Sequence, residues 1–245
     1  MGKILILSCL LSLAICASHK HKWKLCRPDE ENKKQCVEDL TQDVMLAFMH
    51  GVPEHQLPVL LEPLKIEHAS LLHDIKTPPI KFVGEYTNIR MYNLTVCNIT
   101  KIDFEHHAHE FSYQYHFSNP QIKGFADFNY KDLILDGKNL SCSGQGSWSY
   151  DDADVVFGIT VKVDHKPHGA VSAQVTNSTL KFLKATLSVN YVSEESPERA
   201  EGLNALVKDH AQAIYDGTIQ DFAGIYNTAI RNVVNEILSR VPLKL

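Results

Sequence analysis

The sequence predicts an α+β fold. One long C-terminal helix is wrapped lengthwise by a strongly curved antiparallel β-sheet, which gives an elongated molecule with an internal hydrophobic channel. Three observations predict it. The central stretch from Lys81 to Val192 alternates apolar and polar residues in segments separated by short turn signals. The stretch after Pro197 carries one continuous apolar stripe at helical spacing, long enough for about 40 residues, or about 60 Å of helix. No Gly/Ser linker, low-complexity tract or internal repeat divides the chain of 245 residues, so the helix and the sheet belong to one domain.

The N-terminus sets the compartment. Met1-Gly2-Lys3 gives a positive start and Ile4 to Ala17 is almost wholly apolar. This is the pattern of a secretory signal peptide over residues 1–17, and it is too short to span a membrane. No later run reaches the roughly 18 apolar residues of a membrane helix. The mature domain is then residues 18–245, secreted and extracellular. Removing the leader takes away Cys9 and Cys16 and leaves Cys26, Cys36, Cys97 and Cys142. Four cysteines allow three pairings. Cys26–Cys36 with Cys97–Cys142 is favoured, because the first pair is local and the second joins two strand regions. A zinc site is the rival, but it lacks C-x-x-C spacing and the compartment is oxidising.

Four N-x-S/T acceptors accompany the leader, at Asn93, Asn98, Asn139 and Asn177. They predict a glycoprotein and mark surface positions. Asn93 and Asn98 have opposite parity and would face opposite sides of one regular strand, so either a bulge separates them or one goes unused. The net charge of −5 becomes −6 once Lys3 is lost with the leader. With no dense Lys/Arg patch, nucleic acid is excluded as a partner.

The first helix covers Val37 to His50, with apolar residues at Val37, Leu40, Val44, Ala47 and Phe48. Gly51-Val52-Pro53-Glu54 stops it, because Gly suits a C-terminal cap and Pro cannot continue a helix. Pro58 and Pro63 hold the next segment extended, leading into the β region. Turn signals at Ser118-Asn119-Pro120, Asp136-Gly137, Lys166-Pro167-His168-Gly169 and Asn177-Ser178 cut the central stretch into strands of an antiparallel meander. The final helical stripe runs from Leu203 through Tyr215, Phe222, Ile225 and Val233 to Val241, with Gly217 and Gly224 as points of bending. A helix this long with a broad apolar face needs a long partner surface, and the sheet is the only candidate. One helix does not fill a wide curled sheet, so a channel remains. Its wall is assigned to Phe222, Ile225, Tyr226 and Ile230 on the helix and to Phe117, Phe125, Phe157 and Phe182 on the sheet.

Several motifs together carry a family resemblance. They are Cys26 and Cys36, Gly51-Val52-Pro53-Glu54, Leu61-Glu62-Pro63-Leu64, Ile89 to Thr95, Pro120 to Phe128, Gly144-Gln145-Gly146 and the stripe ending in Val241-Pro242. In this order the chain resembles the takeout / haemolymph juvenile hormone binding protein family of arthropods, within the tubular lipid-binding superfamily. The resemblance covers about Leu25 to Leu243. It implies a carrier that binds a small hydrophobic ligand, such as a terpenoid hormone, a fatty acid or an odorant-like molecule, without catalysis and without a cofactor. The family usually has Asp before Pro-Leu where this chain has Glu62.

The remaining candidates are weaker. His107 and His109 share one strand face and could hold zinc or copper with a third ligand, although an exposed, pH-sensitive strand edge is the plainer reading. No metal is assigned. Gly144-Gln145-Gly146-Ser147-Trp148 is not a nucleophile elbow, because Ser147 is not centred between glycines. An interaction role for the same fold, in pattern recognition or adhesion, is the alternative function. It leaves a protein partner open.

Overall fold

The computed structural model describes residues 23–24, 31–51, 61–75, 80–107, 109–135, 138–165, 171–240 and 243–244. The expected leader, Cys26, Pro53 and Pro58 lie outside the described residues.

Helix α1 spans Lys33–His50 and buries Val37, Leu40 and Thr41. Gly51 follows with φ of 70°, the left-handed cap expected from the sequence. Six long strands then form one antiparallel sheet: β2 (Leu64–Ile75), β3 (Ile80–Tyr92), β4 (Asn98–His107), β5 (Glu110–Lys131), β8 (Ser143–His165) and β9 (Val171–Val192). The sheet therefore starts at Leu64, well before Lys81. Polar residues such as His73 interrupt the apolar register of β2 and hide it from a count of alternation. Short pairs flank the sheet, β1 (Trp23–Lys24) with β10 (Leu243–Lys244) and β6 (Ile134–Leu135) with β7 (Lys138–Asn139).

The strand order is β2-β3-β5-β8-β9, and β4 also pairs with β5. Along one edge, β5 changes neighbour. Residues 110–118 pair with β4, and residues 123–131 pair with β3. Its other edge stays on β8 throughout. Register shifts at Thr87/Arg90, Asp151/Asp154 and Thr160/Val161, with left-handed residues at Asn88 and Asp152, add local twist and curl the sheet.

Helix α2 spans Pro197–Arg240, 44 residues or about 66 Å. It runs antiparallel to β9 and packs chiefly on β9 and β2. Pro197 opens it, where its missing N–H costs nothing. The one break in helical geometry is at His210 (φ −132°, ψ 25°). Gly217 and Gly224 lie within regular helix, so the expected bend sits about two turns before the first glycine and about four before the second.

Three asparagines of α2 bond the exposed backbone of β9. Asn204 accepts from Tyr191 N–H at 2.7 Å and donates to Tyr191 C=O at 2.9 Å. Asn227 donates to Ser178 C=O at 3.0 Å, and Asn235 accepts from Val175 N–H at 2.8 Å. β9 is an edge strand, and these amides take the place of a further strand.

A second polar clamp holds the connector after β3. The Glu62 carboxylate accepts from Asn93 N–H at 2.8 Å, Thr95 N–H at 2.9 Å and Thr95 Oγ1 at 2.8 Å. Asn93 itself takes a left-handed conformation at the end of β3, so Asn93 and Asn98 do not share a strand and their parity conflict disappears. Asn98, Asn139 and Asn177 are exposed, and Asn93 is half-buried.

The Cys97–Cys142 pairing is corrected: both are free thiols. Cys97 precedes Asn98, which pairs with Ser118, whereas the Cys142 carbonyl accepts from Tyr130 N–H. Ser118 and Tyr130 lie about 40 Å apart along β5, far beyond the roughly 7 Å Cα limit of a disulfide. Cys36 is disulfide-bonded.

The bidentate Asn204 contact gives a direct stability test. Asn204→Ala leaves the N–H and C=O of Tyr191 without partners beneath the helix, and this should cost about 1–3 kcal/mol. Urea denaturation of both proteins measures it. A loss within experimental error would show that the amide is not holding helix to strand.

Candidate ligand channel

Two cavities lie between α2 and the curled sheet. The larger has a volume of about 170 Å³. Its sheet wall comes from β5, β8 and β9, including Phe111, Tyr113, Phe117, Phe157, Leu180 and Phe182. Tyr226, Ile230, Val234 and Ile237 of α2 form the opposite wall, and Leu40, Thr41 and Val44 of α1 close it on another side. The Glu62 clamp fixes the neighbouring Leu61 and Leu94, which also line it. The smaller cavity, about 70 Å³, is lined by His73, Phe82, Tyr86, Tyr130, Trp148 and Phe222 among others.

An aromatic partition separates the two. Phe222, which lines the smaller cavity, stacks on Tyr226 of the larger one with ring centroids 6.0 Å apart. Tyr150 of the smaller cavity meets Phe182 of the larger at a tilt, with centroids 5.2 Å apart.

Of the wall residues expected from sequence, Phe117, Phe157, Phe182, Tyr226 and Ile230 line the larger cavity and Phe222 the smaller. Phe125 does not. It is 46% exposed on the outer face, edge-on to Tyr92 at 5.7 Å. The cause is a change of parity in β5. Inward residues are odd-numbered at Phe111 and Tyr113 and even-numbered at Ile122, Ala126 and Phe128. The change falls around Pro120, where β5 exchanges β4 for β3. Ile225 also misses both cavities. It lies on the flank of α2, in an open groove facing β2. One helix laid lengthwise offers the interior a single stripe, here Ile219, Ala223, Tyr226, Ile230 and Ile237, and Ile225 is about 100° away from Tyr226 around the axis.

The sequence reading missed the polar chemistry of the smaller cavity. His73 Nε2 is 2.8 Å from Tyr86 Oη, Tyr86 donates to Tyr130 Oη at 3.3 Å, and Tyr130 donates to Tyr191 Oη at 2.8 Å. His73 is 1% exposed, and burial lowers its pKa to about 4. Burial pushes the Tyr191 phenol up to about 12 and raises those of Tyr86 and Tyr130 as well. The sequence signal was there. His73 has the same parity as Leu71 and Ile75 and therefore shares the inward register. In the His106-to-Glu110 segment, His109 is exposed and the side chains of His106 and His107 lie outside the described residues.

Neither cavity is lined by Lys, Arg, Asp or Glu. Cys97 reaches the larger wall, where burial raises its thiol pKa and leaves it a poor nucleophile. Among the described residues, no group of three or more His, Cys, Asp or Glu could hold a metal. None of the described helices is long and apolar enough to cross a membrane. The walls suit a neutral, largely apolar guest. Tyr113 Oη is buried in the larger cavity without a partner.

The family model described as "Haemolymph juvenile hormone binding protein (JHBP)" matches residues 5–245. The chain belongs to this family. The crystal structure of Takeout 1 of Epiphyas postvittana superposes with a TM-score of 0.68 at 10% identity, covering 86% of this chain and 96% of that one. That match establishes the shared fold of curled antiparallel sheet and long C-terminal helix. A lipopolysaccharide binding protein matches more remotely, with a TM-score of 0.39 at 11% identity over 71% of this chain and 33% of that one. No curated protein sequence matches. Juvenile hormone binding proteins are binding proteins, and their fold is that of a carrier for hydrophobic ligands in general.

Buried His73 predicts an acid response. Its folded pKa of about 4 lies below the ordinary 6.5, because burial disfavours the charged ring. The unfolded chain therefore takes up a proton at higher pH than the folded protein does. The His73 contribution to stability is complete above about pH 6.5 and is lost as the pH falls towards 4, to the extent of roughly 3 kcal/mol. Denaturation midpoints measured from pH 7 to 4 should fall less steeply in His73→Phe. Parallel pH profiles would contradict the burial assignment.

Proposed function

We propose that the protein is a secreted carrier that reversibly encloses a small neutral hydrophobic ligand between α2 and the curled sheet. The supporting observation is the larger cavity: aliphatic and aromatic on every side, without a charged residue, and built by the two elements that define the fold. Secretion follows from the leader over residues 1–17, and the domain of residues 18–245 carries the whole function. A Cys26–Cys36 bridge onto the first turn of α1 and glycans at Asn93, Asn98, Asn139 and Asn177 complete the extracellular reading.

The ligand is of terpenoid, fatty-chain or odorant type, without an ionised head inside the cavities. A free fatty acid fits only with its carboxylate outside, since no cation lines either wall. Volume limits the size. An engineered cavity of about 150 Å³ holds benzene, so a guest of about 12 to 20 non-hydrogen atoms overfills the larger cavity and must displace the Phe222–Tyr226 pair to reach the smaller one. At about 0.3 kcal/mol per atom such a guest gains about −4 to −6 kcal/mol, and a well-fitted one reaches micromolar affinity or better.

Ile230→Trp fills the larger cavity and should weaken binding of a fluorescent terpenoid or fatty-chain probe at least about tenfold, whereas Ile225→Trp, in the open groove, should leave it unchanged. Trp148 lines the smaller cavity, 6.3 Å from Phe222. In Trp23→Phe it is the sole tryptophan, and its emission should shift when a long ligand enters. Equal binding by both Trp variants, with silent Trp148 emission, would place the ligand elsewhere.

A further inference from the structure

The hydrogen-bond chain in the smaller cavity fixes the chemistry of His73. Each phenol has one hydrogen to give. Tyr130 gives its hydrogen to Tyr191 across the shorter contact, 2.8 Å, and Tyr86 gives its own to Tyr130 at 3.3 Å. With the Tyr86 hydrogen given to Tyr130, Tyr86 Oη accepts from His73, 2.8 Å away, and this arrangement assigns the ring hydrogen to Nε2. Burial keeps the ring neutral, so Nδ1 is a bare lone pair. It is buried and has no partner.

The ring cannot easily turn to correct this. It stacks on Phe82 at 4.6 Å and is backed by Phe222 at 5.9 Å. Gly84 leaves open the space where Nε2 meets Tyr86; a Cβ there would come within 2.9 Å of both. A buried acceptor without a partner is destabilising, and a ligand hydrogen would relieve that penalty. His73 lines the cavity, so the guest itself can supply that hydrogen. Esters, ketones and ethers offer acceptors only and would face a lone pair with a lone pair. A carboxylate would bring charge where neither wall holds a cation. A hydroxyl fits both conditions.

We propose that the smaller cavity is a head-group site for the hydroxyl of a neutral alcohol, with His73 Nδ1 accepting its hydrogen. The alkyl or terpenoid tail leads past the Phe222–Tyr226 pair into the larger cavity. Tyr86, Tyr130 and Tyr191 are positioning residues that hold the tautomer. The assignment rests on the carrier reading and narrows its ligand class to alcohols.

Displacement of a fluorescent probe by two isomers, 1-decanol and methyl nonyl ether, tests it, with decanoate as a third competitor. The full-length mature protein should bind the alcohol about three- to tenfold more tightly than the ether, with decanoate weakest. In His73→Phe the ratio of alcohol to ether affinity should fall to about one, whatever the change in absolute affinity. Because that variant removes a buried polar contact on which folding also draws, a second readout uses the unaltered protein. In ¹⁵N-histidine NMR, Nδ1 of His73 should show the bare-acceptor tautomer and shift on adding decanol but not ether. Equal binding of the two isomers, an alcohol preference that survives His73→Phe, or an unmoved Nδ1 resonance would overturn the hydroxyl site, leaving water as its occupant and the carrier reading intact. Failure of every compound to bind would overturn both.

Discussion

The fold depends on a match of lengths between one helix and one strand. α2 has 44 residues and β9 has 22, and because a strand rises about 3.3 Å per residue against about 1.5 Å for a helix, the two elements come out at about 73 and 66 Å. They can therefore lie side by side from end to end. Asn204, Asn227 and Asn235 exploit this, meeting Tyr191, Ser178 and Val175 in reverse order along the strand. Between the outer two contacts the helix advances about 46 Å and the strand about 53 Å, the excess being consistent with a curled strand. A single-turn error in the helix would break at least one of the three.

The cavities follow from that alignment. A helix about 10 Å wide lying along a sheet of several strands covers only part of the concave face. The remaining width is filled by large aromatic side chains, which span it imperfectly and leave two spaces instead of a solid core. Polarity is then divided between them. The larger space has apolar walls with Tyr113 Oη unpartnered, and the smaller collects a histidine and three linked tyrosines. Such a division gives a ligand a direction, with tail and head placed by chemistry as well as by shape.

The architecture could be read from the sequence because periodicity reports which side of an element is buried. The long stripe after Pro197 and the recurrent alternation between turn signals gave the helix and most of the sheet, and Gly51 gave its cap. Phe117, Phe157, Phe182, Tyr226 and Ile230 came out of the same periodicity. Its failures have one origin, which is that periodicity assumes an unbroken register. At Pro120 β5 changes neighbour and its inward parity reverses, so Phe125 went to the wrong face. On α2 the apolar stripe is broader than the strip that faces the cavities, so Ile225 was counted in. Cys97 and Cys142 look compatible as two strand-region cysteines until β5 separates them along its length. The roles of the α2 asparagines and of His73 were hidden for a different reason: parity can place His73 on the inward face, but what a lone polar residue does there shows only when its partner is known, and those partners lie 13 to 60 residues away in the chain.

All of this assigns the interior to a guest. Native mass spectrometry of the protein recovered from the medium of cells that secrete it measures that most directly. The account predicts a fraction of molecules carrying one non-covalently bound neutral lipid of a few hundred daltons, released intact on collisional activation and absent from Ile230→Trp. Recovery of only empty protein, which then takes up none of a panel of alcohols, esters and terpenoids on incubation, would contradict it.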